Sequence, residues 1–194
     1  MPKIGMEAIR KKALVEATIH EVGARGTLEV TVSQIARRAG VSSGLAHHYF
    51  GNKEQILIAA MRHILKRFGE LVRVELVRAT TPTERLEGII RASLASEHFE
   101  PETVAAWLAF YVEARNSDDA RRLLRVYTRR LHSNFLHDLR HLLPEPQAEQ
   151  TAQMLAAMID GFYIRHALQD PAPNGAEIVA MLTGYLHQQL RSGG

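Results

Sequence analysis

The chain contains no cysteine, which excludes disulfide bonds, thiolate zinc sites and cysteine nucleophiles. It also lacks long apolar runs: the longest, Val104 to Val112, is well short of the roughly 20 residues that a membrane-spanning helix needs. The opening residues, MPKIGMEAIRKK, have no apolar core of the kind found in a signal peptide. These absences predict a cytoplasmic protein that does not associate with a membrane.

The patterns of common catalytic sites are absent as well. Ten histidines occur, and His132, His137 and His141 cluster, with the last two one helical turn apart. That pair could bind a metal, but no glutamate lies between them in the HExxH arrangement. No Gly-rich phosphate loop and no serine nucleophile elbow is present either. We therefore predict that the chain is not an enzyme and uses no metal or other cofactor, and we keep catalysis as the rival hypothesis.

The composition is that of an ordinary globular protein, with 46% hydrophobic and 23% charged residues. The formal net charge of +3 is unevenly distributed. Residues 1–53 hold 8 Lys+Arg against 4 Asp+Glu, a balance of +4, whereas the other 141 residues hold 16 against 17, a balance of −1. Positive charge attracts a phosphate backbone without selecting a sequence, so this asymmetry supports nucleic-acid binding but does not establish it.

Turn signals divide the chain into a series of amphipathic helices with almost no alternating strand pattern. This pattern predicts an all-α protein of about nine helices. We expect a three-helix DNA-binding domain at residues 1–53 and a ligand-binding and dimerisation domain at residues 54–194. Outside the central motif, we place helices at about Glu7–Glu21, Asn52–Val77, Thr81–Glu97, Pro101–Arg115, Asp118–Leu143, Ala148–Leu168 and Asn174–Leu190.

Several of these helices carry more detailed predictions. In the first helix, Ile9 is expected on the buried side, and Gly23 and Gly26 are expected to end the helix. Its basic cluster, Arg10 to Lys12, could contact phosphates or lie in solvent. Asn52 can cap the long second helix, which we expect to transmit the effect of a ligand because it would touch both domains.

Thr81 and Glu84 have the spacing of a capping box at the start of the third helix. The arginines of the helix that begins at Asp118 are spread around it, which favours a solvated or ion-paired face over nucleic-acid binding. They are Arg121, Arg122, Arg125, Arg129 and Arg130.

The most informative stretch is TVSQIARRAGVSSGLAHHYFGNK, residues 31–53. Thr31 and Gln34 have the spacing of a capping box, and Ser42 can cap a second helix after the turn at Gly40. This is a helix-turn-helix pattern, with Ser43 to Phe50 as the recognition helix. The alternative is that the motif serves packing alone.

The residues around this motif also favour an anionic partner. The outer face of the recognition helix carries hydrogen-bonding groups and no carboxylate. Lys53 lies in the first turn of the next helix, where the helix dipole disfavours a cation unless a phosphate is bound there. Ser43, Gly44, His47 and His48 form that outer face.

The segment GTLEVTVSQIARRAGVSSGLAHHYFGNKEQIL resembles the DNA-binding domain of the tetracycline-repressor (TetR) family of bacterial transcriptional regulators. The resemblance implies binding to double-stranded operator DNA with a palindromic sequence. Two sequence differences affect the contacts, because the family often has a bulky aliphatic residue in place of Ala46 and tyrosine in place of His47. The motif and the resemblance together predict DNA contacts by Thr31, Ser42, Ser43, Gly44, His47, His48, Tyr49 and Lys53.

A second candidate site lies in the C-terminal part. Trp107, Phe110 and Tyr111 share one helical face, and Asp160 and Tyr163 share another. If the two faces met, aromatic rings and a carboxylate would suit a small organic cation such as a quaternary ammonium ion. The spacing alone favours ordinary core packing over a binding site.

The segments AAWLAFYVEARN, RRLHSNFLHDLRHLLP and MIDGFYIRHAL resemble the choline-responsive repressors of glycine-betaine synthesis. The resemblance implies a repressor of choline uptake and oxidation genes that is relieved by choline or its aldehyde. Tyr111 replaces the second tryptophan expected there. A TetR-type regulator that answers a different, larger apolar ligand is the alternative.

The last two predicted helices are rich in apolar residues, which favours a homodimer with a four-helix interface. The alternative is that these residues form ordinary core. A dimer would place two recognition helices about 34–36 Å apart on DNA. The residues concerned are Met154, Leu155, Met158, Ile159, Phe162, Ile178, Leu182, Tyr185 and Leu186.

Overall fold

The computed structural model describes residues 5–95, 100–168 and 174–192. These residues contain nine α-helices and no β-strand, as predicted. None of the helices within these ranges is long and apolar enough to span a bilayer. The helices are α1 (Met6–Arg25), α2 (Val32–Arg38), α3 (Ser43–Phe50), α4 (Lys53–Arg78), α5 (Pro82–Ser93), α6 (Pro101–Glu113), α7 (Asp118–Leu139), α8 (Glu145–Leu168) and α9 (Gly175–Ser192).

Local capping explains most helix starts. Thr81 accepts a hydrogen bond from the Glu84 amide, and the Glu84 carboxylate accepts one from the Thr81 amide, so the predicted capping box of α5 is present. Asn174 likewise accepts a bond from the Ala176 amide at the start of α9. The predicted end of α5 near Glu97 and the prolines at 171 and 173 lie outside the described residues.

The chain forms two compact units. Unit 1 comprises Met1–Leu65 and Pro101–Leu123, and unit 2 comprises Lys66–Glu100 and Leu124–Gly194. This grouping differs from the predicted division after residue 53, because α6 packs against α1 and therefore joins the N-terminal helices. The functional division into a DNA-binding and a ligand-binding domain stays a prediction.

Unit 1 is built around the contact of α1 with α6. Two details of the predicted first helix were wrong. Ile9, expected on the buried face, is 62% exposed. Gly23 and Gly26 were both expected to end the helix: Gly26 does cap it after Arg25, with a left-handed φ of 63°, but Gly23 lies inside it. Gly23 instead permits a close approach, since a β-carbon there would lie 2.1 Å from the carbonyl oxygen of Glu102.

Unit 2 has its own apolar core, drawn from α5, α7, α8 and α9. A partly buried ion pair joins α5 to α7: the Arg85 guanidinium donates to the Asp138 carboxylate at 2.7 Å. Asp138 is only 3% exposed, so its charge requires this partner. The fully buried apolar side chains of this unit include Leu86, Ile89, Ile90, Leu131, Phe135, Leu139 and Leu155.

Candidate nucleic-acid interface and effector site

The structure confirms the predicted local geometry of the helix-turn-helix. The Thr31 hydroxyl accepts from the Gln34 amide, and the Gln34 side chain accepts from the Thr31 amide. Gly40 has a φ of 67°, which allows the chain to turn. Ser42 then caps α3 by accepting from the Leu45 amide at 3.2 Å. These are short-range interactions, which explains why the sequence pattern was sufficient to predict them.

One side of α3 is buried and the opposite side is exposed. Ala46 is completely buried, so its small side chain lets α3 lie close to the helices beneath it. Gly44, His47 and His48 are exposed and lie at positions i, i+3 and i+4 of one face. The helix contacts α1 and α2 through its other side, so this exposed face is left uncovered within the described part of unit 1.

The other predicted DNA-contact residues lie on or beside this surface. Thr31 and Ser42 are exposed, although their hydroxyl oxygens are engaged as helix caps. The Ser43 hydroxyl donates to that of Ser33 at 3.2 Å, which links α3 to α2. Tyr49 is half-buried, and the Lys11 ammonium of α1 lies 5.6 Å from its ring centroid. Such a cation–π contact holds the end of the recognition helix against α1.

Lys11 itself is held by an acidic neighbour. Its ammonium lies 2.7 Å from the Glu7 carboxylate. The hydrogen bond to Lys11, with a smaller contribution from its charge, lowers the pKa of Glu7. The sequence had indicated Lys11 only as one member of a cluster of basic residues at the helix start. Its position over Tyr49 depends on the crossing of α1 and α3, which no local pattern specifies.

The predicted phosphate site is at the start of α4. The Asn52 side chain accepts from the Gln55 amide at 2.9 Å, so Asn52 caps the helix as predicted and Lys53 is its first residue. Within the described ranges Lys53 makes no ion pair, and neither does Arg37 of α2. Arg37 was not predicted, although its exposed position on a capped helix was visible in the sequence.

The Glu21 carboxylate pairs with two neighbouring arginines. Glu21 of α1 accepts from Arg38 at 2.5 Å and from Arg25 at 3.4 Å. The hydrogen bond from Arg38 is the largest cause that lowers the pKa of Glu21, against the opposing effect of burial. Arg38 therefore fastens α2 to α1, whereas Arg37 and Lys53 have no such partner in the described part of unit 1.

The predicted effector residues fall into both units. In unit 1, the rings of Trp107 and Tyr111 meet edge to face at a centroid distance of 5.2 Å. Trp107 and Phe110 are buried, at 5% and 2% exposure. A cleft of about 290 Å³ in the same unit is lined by Gly26–Glu29 and by residues of α6, but by none of these three aromatic residues.

In unit 2, the Tyr127 hydroxyl donates to the Asp160 carboxylate at 3.1 Å. The Phe68 ring meets that of Tyr127 edge to face at 5.5 Å. Tyr163 is buried and donates to the carbonyl oxygen of Ser93. Burial, followed by the charge of Asp160, raises the pKa of Tyr163, which therefore stays a neutral phenol.

Phe68 and Tyr127 were missed in the sequence because each is an isolated aromatic on a different helix. Their proximity to Asp160 arises from the packing of α4, α7 and α8 in unit 2. Trp107, Phe110 and Tyr111 belong to unit 1, and Asp160 and Tyr163 to unit 2, so a cage that combines all five stays a prediction.

The histidine cluster does not form a metal site in the described part of the chain. His137 and His141 meet ring to ring at 5.7 Å, and His132 lies 3.2 Å from Glu149. No group of three or more potential metal ligands occurs among the residues described. The five arginines of α7 are all exposed, as expected for a solvated face, and Arg121 pairs with Asp118 at 2.7 Å.

Comparison with known proteins agrees with this geometry. Residues 14–60 match the model for bacterial regulatory proteins of the tetR family, and residues 82–191 match the C-terminal domain of the BetI-type transcriptional repressors. The chain is 50% identical over 190 residues to the HTH-type transcriptional regulator BetI of Brucella anthropi, covering 98% of each chain. It is also 50% identical over 194 residues to the regulator of the same name from Rhizobium meliloti, covering 100% of this chain and 96% of that protein.

Among solved structures, the fold is similar to that of a putative transcriptional regulator from Saccharomonospora viridis in complex with choline. The two align with a TM-score of 0.81 and 21% identity, over 91% of this chain and 95% of the other. A putative transcriptional regulator from Pseudomonas aeruginosa aligns with a TM-score of 0.80 and 24% identity, over 93% and 90%. The family consists of transcriptional regulators rather than enzymes, in agreement with the sequence prediction. The chain belongs to the TetR family of DNA-binding transcriptional regulators, with a BetI-type C-terminal domain.

Proposed function

We propose that this protein represses genes for choline uptake and glycine-betaine synthesis and releases them when choline or a related quaternary ammonium ion binds. The whole-chain identity of 50% to regulators of the BetI type is the observation that carries the proposal. The choline bound to a regulator of the same fold supports it further. As a cytoplasmic protein, the repressor would sense the ligand where the genes are transcribed.

The DNA-binding half of the proposal rests on the exposed face of α3. Gly44, His47 and His48 would face the major groove, and Lys53 with the free amides at the start of α4 would bind a phosphate. Thr31, Ser42, Ser43 and Tyr49 would contact the flanking backbone. Arg37, which makes no ion pair in the described part of unit 1, is a further phosphate contact that the sequence did not predict.

A homodimer would bind a palindromic operator, since one recognition helix reads too few base pairs for useful specificity. Several of the residues predicted for the dimer interface are buried. Leu155, Ile159, Ile178, Leu182 and Leu186 are buried within one chain and therefore form core rather than an interface. Of the other predicted residues, Met154 is exposed, and Met158, Phe162 and Tyr185 are half-buried. We assign the dimer contact to Met154 and to the other large exposed apolar residues of α8 and α9, which are Ile164, Leu168 and Met181.

The proposed binding of the effector depends on two aromatic clusters and one carboxylate. Quaternary ammonium carries no N–H donor, so it is held by ring faces and by a negative charge rather than by hydrogen bonds. Trp107, Phe110 and Tyr111 offer rings, and Asp160 offers the charge. Tyr127 and Phe68 join the set because they lie beside Asp160. The hydroxyl of Tyr163 is bonded to Ser93, so its ring rather than its hydroxyl would face the ligand.

Induction requires that the ligand bind the non-DNA conformation better than the DNA-bound one. From the sequence, α4 is predicted to transmit the effect of the ligand to the DNA-binding domain. The contact between α6 and α1 adds a second route within unit 1, because α6 carries Trp107 and α1 supports α2 and α3. A displacement of α6 at Trp107 would move α1 and thereby the recognition helix.

The proposal is tested with a gel shift on the DNA upstream of the protein's own gene, with and without choline. Calorimetry would compare choline with its neutral carbon isostere, 3,3-dimethylbutan-1-ol, which has the same shape without the charge. We expect heat from choline, little from the isostere, and loss of the shifted band. A shifted band with no heat from choline would favour the alternative, a TetR-family repressor of efflux or catabolic genes that answers another ligand.

A further inference from the structure

A hydrogen bond at the C-terminal end of α3 sets the ring orientation of the exposed His47 side chain. Its Nδ1 lies 3.0 Å from the carbonyl oxygen of Gly51. A carbonyl oxygen can only accept a hydrogen bond, so Nδ1 must carry the proton. The amide of Gly51 in turn donates to the carbonyl oxygen of His47 at 2.7 Å, so the two residues are joined by two hydrogen bonds.

Gly51 makes this arrangement possible. Its φ of 79° and ψ of −66° turn its carbonyl group back towards α3, in a region of backbone conformation that residues with a β-carbon rarely adopt. A carbonyl in the ordinary helical direction would continue along the axis and would not reach the ring. The end of the recognition helix thus determines which nitrogen of His47 remains exposed.

In the neutral ring the exposed nitrogen, Nε2, holds a lone pair and is an acceptor only. In the major groove the hydrogen-bond donors on base edges are the N6 amino group of adenine and the N4 amino group of cytosine, whereas guanine and thymine present acceptors. Gly44 lies one turn earlier on the same face and has no side chain, so it leaves room for a base pair beside His47.

We propose that His47 determines operator specificity by accepting a hydrogen bond through Nε2 from the amino group of an adenine or cytosine. This rests on the proposed function, namely that α3 enters the major groove. It also explains what histidine contributes here in place of tyrosine, since a tyrosine hydroxyl can both donate and accept and would discriminate less between base edges.

The experiment uses the full-length protein and a library of random DNA duplexes, from which bound sequences are selected and sequenced. The wild-type protein should enrich a palindrome, and His47→Ala should lose the preference at one position in each half-site. Every base pair presents one major-groove amino group, on adenine in A·T and on cytosine in G·C, so the base pair selected at that position identifies which amino group His47 would contact. We expect affinity for the wild-type palindrome to fall about tenfold per half-site, the usual size of one lost base contact.

A base analogue then isolates the amino group. Purine in place of adenine, or 2-pyrimidinone in place of cytosine, removes only that group at the selected position. The analogue should weaken binding of the wild-type protein and of the control His137→Ala, an exposed histidine of α7, but not further weaken His47→Ala. Because each ratio compares two DNAs with one protein, a folding defect in a variant cancels.

Equal losses for wild type and His47→Ala would overturn the inference. So would a palindrome that His47→Ala leaves unchanged, and in that case DNA binding by α3 would still stand. A wild-type protein that enriches no sequence would overturn both this inference and the proposed function.

Discussion

Gly23 of α1 and Glu102 of α6 approach so closely that no side chain fits between them. A β-carbon at residue 23 would lie 2.1 Å from the Glu102 carbonyl oxygen and 2.7 Å from its carbonyl carbon. Since the obstacle is backbone, it cannot move aside as a flexible side chain would. The helix that supports the DNA-binding motif and the helix that carries Trp107 are therefore in direct backbone contact.

Replacement of Gly23 by alanine should destabilise the protein by about 1–3 kcal/mol, because the two helices must separate to accommodate the new atom. The measurement is urea unfolding followed by circular dichroism. Gly69→Ala is the matched control, since Gly69 also lies inside a helix but has nothing within 4 Å of its β-carbon position. There alanine should stabilise by about 0.5–1 kcal/mol through helix propensity. Equal effects at the two sites would show that the close approach is not maintained in solution.

Replacement of Lys53 by alanine should weaken DNA binding to a similar extent for all sequences. The slope of log affinity against log salt should become shallower by about 1 for each phosphate contact removed, hence by about 2 for a dimer. Fluorescence anisotropy at several salt concentrations measures both quantities. Lys66→Ala is the control, because Lys66 is an exposed lysine of the same helix, 3.7 Å from Glu70. An unchanged slope for Lys53→Ala would refute the phosphate contact.

Replacement of Trp107 should weaken the response to the effector and leave operator binding intact. Trp107 is buried, so alanine would also cost about 3–5 kcal/mol of stability, and Trp107→Phe is the better variant because it keeps most of the volume. We expect at least a several-fold loss of choline affinity by calorimetry, since a smaller ring attracts a cation less strongly. Full induction by the same choline concentration in Trp107→Phe would remove this residue from the site.

Replacement of Asp160 by asparagine should reduce choline affinity by about tenfold or more, because the charge that balances the ammonium group is lost. Binding of the neutral isostere should change little. Tyr127→Phe removes the hydroxyl that donates to Asp160 at 3.1 Å and keeps the ring, so we expect a smaller loss. A carboxylate that is unrelated to the ligand would instead give equal affinity changes for the charged and neutral compounds.

Acid should loosen the attachment of α2 to α1. The pKa of Glu21 is lowered from its ordinary value of 4.5, chiefly by the hydrogen bond from Arg38. A carboxyl whose pKa is lowered on folding stabilises the protein above its unfolded pKa, and this contribution is lost as the pH falls through the folded pKa. Glu21→Gln should therefore destabilise by up to about 1 kcal/mol at pH 7 and progressively less below pH of about 4.5. Thermal unfolding of both proteins between pH 7 and pH 3 measures this, and a difference that does not depend on pH would contradict it.

The helix-turn-helix could be predicted in detail because its signals are local. The hydroxyl caps at Thr31 and Ser42, the left-handed Gly40 and the Asn52 cap each involve residues within a few positions of one another. Such interactions form in nearly the same way whatever the rest of the chain does. The function was inferred from the family resemblance, because caps and turns alone do not indicate a function.

Contacts between residues that are far apart in the chain could not be predicted from the sequence. Hydrophobic periodicity placed Ile9 on a buried face, but no other helix in the described part of the chain covers that part of α1 enough to bury it, and it is 62% exposed. Tyr127 and Asp160 are 33 residues apart, and only the packing of α7 against α8 brings the hydroxyl to the carboxylate. Glycine at position 23 looked like a helix terminator because glycine usually is one, whereas here it serves a helix crossing.

Capping chemistry and helical periodicity thus account for where the helices start, where the main turns occur and which short helix is proposed to face DNA. Tertiary packing decided three other features: α6 belongs to the N-terminal unit, Trp107 is buried, and Asp160 accepts a hydrogen bond from Tyr127. The reason is physical: a cap is formed by atoms a few bonds apart, but a helix crossing depends on the shapes of two surfaces that meet only once the whole core has formed.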